Sequence, residues 1–449
     1  MSQETIDKLK AADASTEAGN YFVSNYPPFS FWTPDQVDAA LQTLDRAATP
    51  GVDLGVYVHI PFCRKRCHFC YFKVYTDKNS KQIRNYIDCV LREMEQYAAT
   101  PYLKGRKPRF IYFGGGTPSY LSADQLKELT DGMKRLFPWD DAQEVTFEAE
   151  PGTLNEKKLS RIRKMGVTRL SLGIENCDDK ILEVNNRAHR SEEVYKAYDF
   201  ARSIEFDQIN IDLISGMVGE TDANWAECVA KTIDMRPDSV TIYQMEVPFN
   251  TTIYKEMREQ GKVTAPVADW NTKRRWVAEA FEALESAGYA VTSAYTAVRD
   301  PDRIKFTYRD ALWTGADLLG GGVSSFGHLG GTHYQNEANF VPYIEKVESS
   351  GEQPGSVIYR ARTMQGEEPL IREFILQMKL GHVDVAYFQK KFNVDVRERF
   401  GRQLALLQDA QLATVNDTIQ LSRAGLLQVD RLLLEFFLPE HKDARYTAK

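Results

Sequence analysis

The sequence has no long apolar run and no excess of basic residues, and these absences exclude broad classes of protein. No segment approaches the roughly 18–20 consecutive apolar residues that a membrane-spanning helix requires, so no membrane partner is expected. The N-terminal stretch MSQETIDKLKAADASTEAGNYF is polar and lacks the apolar segment of a secretory signal. A formal net charge of −7 argues against a general nucleic-acid binder. The sequence therefore indicates a cytoplasmic protein.

Cysteine is scarce, yet half of the cysteines are concentrated in one place. Three of the six lie within eight residues of the segment VYVHIPFCRKRCHFCYF, namely Cys63, Cys67 and Cys70. Thiols stay reduced in the cytoplasm, so such a cluster indicates a metal site or catalysis rather than disulfides. Three thiolates can hold three irons of a 4Fe–4S cluster, which normally takes four cysteines. The remaining cysteines fall in separate predicted units: Cys89, Cys177 and Cys228. The fourth iron would therefore keep an open position for a small molecule.

Zinc is the alternative occupant of this cysteine segment. Structural zinc sites take four ligands, and His59 or His68 could supply the fourth beside the three thiolates. Such sites prefer paired C-x-x-C knuckles, which the segment lacks. Three buried and inert cysteines in one loop would be unusual. An iron–sulfur cluster is the favoured interpretation, and zinc stays open as the alternative.

Strand-like and helix-like segments alternate between residues 55 and 290. Apolar runs such as LGVYVHI, RFIYFGGG and EVTFEAEP are followed by stretches with helical periodicity, such as NSKQIRNYIDCVLREMEQYA. Repeated strand–helix units predict an α/β fold of parallel strands with helices outside. About six units are too few for a closed eight-unit barrel. We therefore expect a partial (β/α)6 barrel with its chemistry at the strand ends.

The flanking regions differ from this alternating part. Residues 1–50, with the aromatic stretch NYPPFSFW and one short predicted helix, form an extension that is expected to pack on the barrel at residues 51–300. Residues 361–449 predict amphipathic helices and a β-hairpin, which together are typical of a winged-helix-like α+β domain. The chain is thus expected to consist of one large barrel domain with an N-terminal extension and a C-terminal accessory domain.

A glycine-rich segment at residues 301–360 separates the barrel from the C-terminal domain. It contains GADLLGGGVSSFGHLGGTHYQN and predicts a long connection with strand pieces. Long connections of this kind are often tied to function, so we expect it to complete the site. Its histidines, His328 and His333, are candidates for substrate contacts or for a seal of the barrel, and ordinary loop histidines are an equal alternative.

The C-terminal domain raises one non-enzymatic alternative, a DNA-binding sensor that carries the cluster. Winged helices bind DNA through a basic recognition helix. The candidate helix VRERFGRQLALLQDAQ has three arginines, but acidic residues flank them and the whole chain is acidic. Nucleic acid is therefore not the expected partner.

The cysteine segment resembles the signature of a known superfamily. The spacing C-x-x-x-C-x-x-C, with Phe69 directly before the last cysteine, resembles that of radical S-adenosylmethionine (SAM) enzymes. More narrowly, VYVHIPFCRKRCHFC is similar to the oxygen-independent coproporphyrinogen III oxidase family. The resemblance implies a 4Fe–4S cluster on the three cysteines, SAM on the open iron, and Phe69 beside these cofactors. It also implies that an electron from a reductant such as flavodoxin or ferredoxin cleaves SAM, and that the resulting radical abstracts a substrate hydrogen.

Two further motifs follow predicted strands. The glycines of FGGGTPS would let a ligand approach the backbone closely, and the run resembles the family's GGGTP motif. By resemblance, Gly115, Gly116 and Thr117 hold the methionyl amino group of SAM. In FEAEP, Glu148 and Glu150 lie two residues apart and so share one face of a strand. The first acid of this family motif contacts SAM, which implies that role for Glu148.

Single polar residues on the other predicted strands complete the expected SAM site. By resemblance, Glu175 accepts hydrogen bonds from the ribose hydroxyls and Arg187 binds the SAM carboxylate through two parallel bonds. Asp212 lies inside an apolar strand, where a buried carboxylate needs a partner such as a ligand hydroxyl. Tyr57 resembles a family tyrosine near the sulfonium, whereas His59, on the same strand face, is interpreted as structural or adjacent to the cluster.

The resemblance leaves three reactions open. The first, ranked highest, is an enzyme of the coproporphyrinogen III oxidase type with a porphyrin-related substrate. The family's oxidases carry one more cysteine, at the position of Phe72. The second is a heme chaperone, which also lacks that cysteine and whose H-N-x-x-Y-W motif falls on YRDALW at residues 308–313. The third is a methyltransferase or cyclopropanating enzyme that binds a second SAM near Gln244 and the glycines at 114–116.

Overall fold

The computed structural model describes residues 22–262, 265–351 and 353–442. Its central feature is a mixed sheet of twelve strands in the order β12-β11-β10-β9-β1-β2-β3-β4-β5-β6-β8-β7. The strands are, in chain order, β1 Leu54–Ile60, β2 Phe110–Gly115, β3 Glu144–Ala149, β4 Arg169–Glu175, β5 Gln208–Ser215, β6 Ser239–Gln244, β7 Ala290–Val291, β8 Thr296–Val298, β9 Asp317–Gly321, β10 Phe326–Leu329, β11 Thr332–Asn336 and β12 Ile358–Thr363.

Strands β1 to β6 are parallel and lie side by side in chain order, which confirms the predicted partial (β/α)6 barrel. The strands are apolar and almost fully buried, as expected for parallel strands that are covered on both faces. Beyond the barrel, β9 pairs in parallel with β1, and β8 pairs antiparallel with β6. All six carboxyl ends therefore meet at one edge of the sheet.

Helices connect the strands and cover the outside of the sheet. They are α1 Val37–Leu44, α2 Ser80–Ala99, α3 Ala123–Leu136, α4 Glu156–Lys164, α5 Asp179–Val184, α6 Ser191–Ser203, α7 Asp222–Met235, α8 Thr252–Glu259, α9 Trp270–Ser286, α10 Thr307–Trp313 and α11 Phe340–Ser349. Short 3₁₀ helices occupy Phe29–Phe31, Pro34–Gln36, Pro118–Tyr120, Pro151–Thr153 and Leu434–Phe436. Local sequence sets the helix starts: Asn79 caps α2 and Ser122 caps α3, each through a capping box with a glutamine.

The glycine-rich segment at 301–360 forms strands β9, β10 and β11 and helices α10 and α11. Glycine is required where the strands pack tightly, since a Cβ on Gly320 would lie 2.1 Å from the Phe326 carbonyl oxygen. Helix α10 lies under the barrel, because its first backbone N–H groups, those of Thr307 and Tyr308, donate to the Glu144 carboxylate at 2.7 and 3.2 Å. The segment thus widens the sheet and closes the amino-terminal end of the barrel.

The C-terminal domain has α+β architecture around a three-stranded antiparallel sheet of order β13-β15-β14. Its elements are α12 Glu368–Met378, β13 His382–Asp384, α13 Val385–Phe392, α14 Val396–Arg399, α15 Gly401–Asp409, β14 Ala413–Val415, β15 Thr418–Leu421, α16 Arg423–Leu426, α17 Val429–Leu433 and α18 Pro439–Lys442. Phe374, Phe400 and Phe436 pack together in its core. No helix among the described residues combines the length and apolar character that crossing a bilayer requires.

The N-terminal segment packs against both the sheet and the C-terminal domain. Trp32 stacks on His333 with ring centroids 5.0 Å apart, and Thr33 forms a bridge with Ala361 of β12. Tyr26 is fully buried and its ring packs edge-on against Phe437. Residues 1–21 of the predicted extension lie outside the described residues.

Candidate functional site

A cavity of about 1050 Å³ lies at the carboxyl ends of the barrel strands and reaches the C-terminal domain at Leu427 and Leu434. Twelve of the thirteen predicted site residues line it: Cys63, Cys67, Phe69, Cys70, Gly115, Gly116, Thr117, Glu148, Glu175, Arg187, Asp212 and Gln244. The exception is Tyr57, which does not contribute to the wall. The fold thus brings together side chains that are up to 181 residues apart in sequence, from Cys63 to Gln244.

The cysteine segment follows β1 and is held by backbone hydrogen bonds at several points. The Cys63 N–H donates to the Tyr75 carbonyl at 3.1 Å, and the Tyr75 N–H donates to the Pro61 carbonyl at 2.8 Å. Further along, the His68 N–H donates to the Asn185 carbonyl at 3.1 Å. The loop is therefore fixed at Tyr75, where the chain turns back towards it, and at Asn185, which directly follows α5.

Two of the three thiols receive a hydrogen bond from a residue of the predicted SAM site. Thr117 Oγ1 donates to Cys63 Sγ at 3.3 Å, and Arg187 Nη1 donates to Cys67 Sγ at 3.3 Å. Burial raises the pKa of Cys63 to about 12 and that of Cys70 to about 11. Ionising a buried thiol costs free energy, and binding of the resulting thiolate to a positively charged metal group offsets that cost. The donors around these sulfurs fit a metal–thiolate group.

The spacing of the side chains favours a cluster over a single metal ion. Among the described residues, no three His, Cys, Asp or Glu side chains converge closely enough to hold one ion. A structural zinc site needs four ligands around a single ion, whereas each thiolate of a 4Fe–4S cluster binds a different iron. The other three cysteines are all described and are buried away from the cavity. The residues present fit a cluster with three cysteine ligands.

The glycine run after β2 packs directly against the cysteine segment. The Gly116 N–H donates to the Ile60 carbonyl at 2.8 Å, and a Cβ on Gly116 would lie 3.0 Å from Cys63 Sγ, the Ile60 carbonyl oxygen and the Phe62 carbonyl oxygen. Gly115 has a φ of +115°, a conformation that side chains strongly disfavour. Glycine is therefore needed at both positions for the backbone to reach the cavity.

Replacement of Gly116 by alanine is expected to disturb the cluster loop. The added methyl group is closer than normal contact to one thiol and two carbonyl oxygens, so the loop must shift, at a cost of about 1–3 kcal/mol. Urea unfolding and the iron content after reconstitution measure the effect. Gly401→Ala is the matched control, because a Cβ there meets no atom within 4 Å. Equal iron content and stability in the two variants would contradict this packing.

Glu148 is held at the cavity wall by two donors. Tyr112 Oη donates to Oε1 at 2.6 Å and the Gly115 N–H donates to Oε2 at 3.1 Å. Burial raises the pKa of Glu148 to about 7, although both hydrogen bonds act in the opposite direction. The carboxylate can still accept hydrogen bonds from the ammonium or hydroxyl groups of a ligand.

Glu175 and Arg187 form a buried pair that also contacts the cysteine segment. Arg187 Nη2 lies 3.4 Å from Glu175 Oε1 and donates to the Gly173 carbonyl at 2.5 Å. Glu175 has a φ of 63°, the left-handed region that non-glycine residues rarely adopt outside functional sites. Burial raises the pKa of Glu175 to about 7, and the Arg187 charge opposes this shift.

The structure gives Asp212 protein partners that the sequence did not indicate. Ser171 Oγ donates to Asp212 Oδ2 at 2.8 Å, and Asn210 Nδ2 donates to Oδ1 at 2.9 Å. A ligand hydroxyl is therefore not required to satisfy this carboxylate. Burial nevertheless raises the pKa of Asp212, and the residue lines the cavity beside Arg169.

Gln244 connects the end of β6 to the C-terminal domain. Its Nε2 donates to the Leu427 carbonyl at 3.0 Å. Its Oε1 is buried and has no hydrogen-bond partner among the described residues. The side-chain amide is therefore held through its nitrogen only, in a residue that lines the cavity.

Tyr57 and His59 lie behind the cavity wall. The Tyr57 ring stacks on Tyr112 with centroids 5.9 Å apart, and its hydroxyl lies 3.2 Å from His59 Nδ1. Tyr112 lines the cavity, whereas Tyr57 and His59 do not. His59 Nε2 is buried without a partner among the described residues, and burial lowers the pKa of His59 to about 4.

His328 and His333 lie away from the cavity. They face each other across β10 and β11 with Nδ1 atoms 3.1 Å apart, and both are buried. His333 Nε2 also lies 3.1 Å from the Tyr26 carbonyl oxygen. These contacts give the pair a packing role between the sheet and the N-terminal segment.

Sequence reasoning missed the partners of Glu150. Its Oε1 accepts hydrogen bonds from Arg64 Nη2 at 3.1 Å and interacts with His189 Nδ1 at 3.1 Å. Burial raises its pKa, but the His189 hydrogen bond and the charges of Arg187 and Arg64 outweigh burial and lower the pKa to about 2. Because Arg64 directly follows the first cysteine, Glu150 ties the cysteine segment to the end of β3. The pair of glutamates in FEAEP is a signal in the sequence, but it does not indicate these partners.

Arg169 is a second residue that the sequence did not single out. It begins β4, is 3% exposed and lines the cavity floor. Its guanidinium lies over the Phe306 ring, 4.1 Å from the centroid. A single arginine at the start of a strand belongs to no recognisable motif. Its position at the cavity is therefore visible only in the fold.

Comparisons with known families identify two regions of the chain. Residues 57–231 match the sequence model of the Radical SAM superfamily, and residues 364–427 match that of the HemN C-terminal domain. The first range contains the cysteine segment, the glycine run and the strands that carry Glu148, Glu175 and Asp212. The second covers most of the α+β domain.

Curated relatives and one solved structure align over most of the chain. The oxygen-independent coproporphyrinogen III oxidase of Salmonella typhimurium is 26% identical over 454 residues, covering 97% of this chain and 96% of the relative. The heme chaperone HemW of Bacillus subtilis is 29% identical over 354 residues, covering 78% and 88%. The structure of coproporphyrinogen III oxidase (HemN) from Escherichia coli superimposes with a TM-score of 0.80 at 24% identity, covering 92% of this chain and 96% of that one. This likeness confirms the fold.

Proposed function

The chain belongs to the radical SAM superfamily, within its oxygen-independent coproporphyrinogen III oxidase-like family, and on that basis we propose an enzyme that binds a 4Fe–4S cluster, cleaves SAM and abstracts a substrate hydrogen. The observation that carries the proposal is the cysteine segment at the cavity wall, where Thr117 and Arg187 from two other motifs donate hydrogen bonds to two of the thiols. All six cysteines are among the described residues and only three of them line the cavity, so a 4Fe–4S cluster held here would keep one iron open to SAM.

The proposed roles of the chain's own residues follow from their contacts. Thr117 and Arg187 stabilise negative charge on two sulfurs by donating hydrogen bonds to them. The Glu148 carboxylate accepts from the methionyl amino group, beside the backbone of Gly115 and Gly116. Glu175 accepts from the ribose hydroxyls, and its pairing with Arg187 sets the carboxylate in place. When bound, the cluster and SAM supply a radical that removes an unactivated hydrogen, chemistry that no side chain provides.

The apolar part of the cavity supports a large, flat substrate such as a tetrapyrrole. Four large side chains that line the cavity are 40–43% exposed: Tyr71, Phe72, Tyr243 and Leu434. Apolar surface left open inside a cavity is typical of a binding site for an apolar ligand. Relatives named as coproporphyrinogen III oxidases support the same substrate class. An external reductant such as flavodoxin or ferredoxin would supply the electron in the cytoplasm.

A heme chaperone is the second candidate. The relative named HemW and the presence of Phe72, where the oxidases carry a cysteine, favour it. Against it, the segment at residues 308–313 contains no histidine and lies in α10 under the barrel, where Tyr308 packs on Tyr112 at 4.3 Å. The DNA-sensor alternative has weaker support, because Arg397 and Arg399 of the candidate recognition helix are paired with Asp395 and Glu367.

The test is a product analysis on the anaerobically reconstituted and reduced protein. With SAM and coproporphyrinogen III, we expect 5′-deoxyadenosine together with a decarboxylated tetrapyrrole. Formation of S-adenosylhomocysteine as well would replace the oxidase assignment by methyl transfer. Tight heme binding without substrate turnover would replace it by the chaperone. Absence of 5′-deoxyadenosine with every reductant tested would overturn the radical SAM assignment itself.

Phe72 is expected to contribute to substrate binding. Its ring packs on Tyr71 with centroids 4.5 Å apart and is 43% exposed at the cavity wall. Phe72→Ala removes this stacking surface and should raise the Michaelis constant for the tetrapyrrole by about two- to tenfold, since aromatic contacts contribute roughly 0.5–1.5 kcal/mol beyond burial. Steady-state kinetics measure the change. Tyr359→Ala, an exposed aromatic residue outside the cavity, is the control, and equal kinetics of both variants would refute the assignment.

A further inference from the structure

A second, smaller cavity lies at the amino-terminal side of the barrel, away from the cysteine segment. Its volume is about 250 Å³, and it is bounded by the starts of β4 and β6, by β8, by the segment from Pro301 to Asp310 and by His382 of the C-terminal domain. Arg169 and Phe306 line both cavities, so they form a shared wall. The proposed function makes no use of this space.

The charges around the second cavity are unbalanced. Three cations line it, Arg169, Lys305 and Arg309, against a single carboxylate, that of Asp310. Asp310 is already bound, since Arg309 Nε donates to its Oδ1 at 2.8 Å. No carboxylate oxygen among the described residues lies within 4 Å of the Arg169 guanidinium or the Lys305 ammonium. Lys305 Nζ donates a hydrogen bond to the Pro301 carbonyl oxygen at 2.5 Å.

Burial makes this imbalance costly. Arg169 is 3% exposed, and the side chain of Arg309 is 11% exposed with Nη1 buried and without a partner among the described residues. Buried charges are normally paired or hydrogen-bonded, because removing a cation from water costs several kcal/mol. Glu144, Glu148 and Asp212 offset part of the Arg169 charge from a distance, but none of them forms an ion pair with it. The Glu144 carboxylate instead accepts from the N–H groups of Thr307 and Tyr308. Arg169 and Lys305 therefore have no ion-pair partner among the described residues, and of these two only Arg169 is buried.

We propose that the second cavity binds a small oxyanion, a phosphate or a carboxylate, between Arg169, Lys305 and Arg309. Guanidinium groups match the oxygen geometry of both anions, and a lysine at the rim adds a point charge. The volume is below the roughly 300 Å³ of sites for drug-sized ligands, so a small anion or the terminal group of a larger one fits. Since Arg169 also lines the main cavity, the bound anion shares a guanidinium with the proposed substrate site.

Calorimetric titration of the reconstituted full-length protein tests this proposal at constant ionic strength, with chloride as the reference anion. Inorganic phosphate and acetate are the two probes. We expect at least one of them to bind saturably, at one site per chain. The probe that binds more tightly identifies the class of oxyanion. Lys305→Gln and Arg309→Gln should each weaken that binding at least about fivefold, equivalent to roughly 1 kcal/mol. Lys305 is exposed, so its variant is expected to fold even where the Arg309 variant does not.

Lys390→Gln is the matched control, since it removes one exposed positive charge outside the cavity and should bind the anion as the parent protein does. Heats that do not saturate with either probe would overturn the proposal. So would equal affinity of the Lys305→Gln and Lys390→Gln variants, because the anion would then bind elsewhere or through overall charge alone.

Discussion

Replacement of Cys67 by alanine is expected to abolish cluster binding and, with it, cleavage of SAM. Cys67 lies at the cavity wall and its sulfur receives a hydrogen bond from Arg187, as the proposed role of a cluster ligand requires. With only two thiolates left, iron content should fall from about four per chain to near zero, and 5′-deoxyadenosine formation should fall by a factor on the order of 100 or more. Iron and sulfide analysis and product chromatography measure the two quantities.

Cys89→Ala is the matched control for this variant. Cys89 is a cysteine of α2 that is 1% exposed and does not line the cavity, so its removal affects packing alone. It should keep its iron and its activity, with only a modest loss of stability. Full iron content in the Cys67 variant, or equal loss in both variants, would contradict the assignment of the three cysteines.

Replacement of Arg187 by glutamine is expected to affect both stability and activity, by separable mechanisms. Arg187 and Glu175 are 11% and 13% exposed, so the variant leaves a buried acid without its cation, at a cost of about 1–3 kcal/mol that protonation of Glu175 limits, since its pKa is already about 7. It also removes the hydrogen bond to Cys67 Sγ. Urea unfolding should show the first effect, and a roughly 100-fold loss of SAM cleavage should show the second, since outer hydrogen bonds to metal ligands contribute about 10–100-fold.

The double variant Arg187→Gln with Glu175→Gln separates these two effects. Neutralising Glu175 removes the uncompensated charge, so most of the lost stability should return. The activity should stay low, because the donor to the Cys67 sulfur is still absent. Arg402→Gln, an exposed arginine of α15, controls for loss of charge and should change neither quantity. Recovery of activity together with stability would mean that Arg187 serves the fold alone.

The parallel barrel was predictable because its pattern is local. Buried apolar strands followed by capped amphipathic helices identify each unit, and the carboxyl ends of parallel strands must share one edge. That rule is sufficient to bring the cysteine segment, the glycine run and Glu148 into one cavity. The strands of residues 301–360 were harder to predict, because tight packing against Phe326 and Tyr334 selects glycine there, and glycine is otherwise typical of loops.

The side-chain partners were not predictable, because they depend on contacts between distant strands. Strand periodicity gives Tyr57 and His59 a common face, but only the fold shows that Tyr112 of the next strand lines the cavity in their place. Likewise, the sequence shows two glutamates in FEAEP, and the structure shows that Glu150 is bound to Arg64 and His189. Such pairings are set by the register of neighbouring strands and by loop geometry.

In the proposed enzyme, three cysteines hold a 4Fe–4S cluster and leave one of its irons open to SAM. Electron paramagnetic resonance of the reduced, reconstituted protein, recorded with and without SAM, tests it most directly. We expect a signal of one reduced cluster per chain whose spectrum changes when SAM is added, because SAM would bind to the open iron. A signal that SAM leaves unchanged, or a reconstituted protein that holds zinc at the three cysteines, would contradict it.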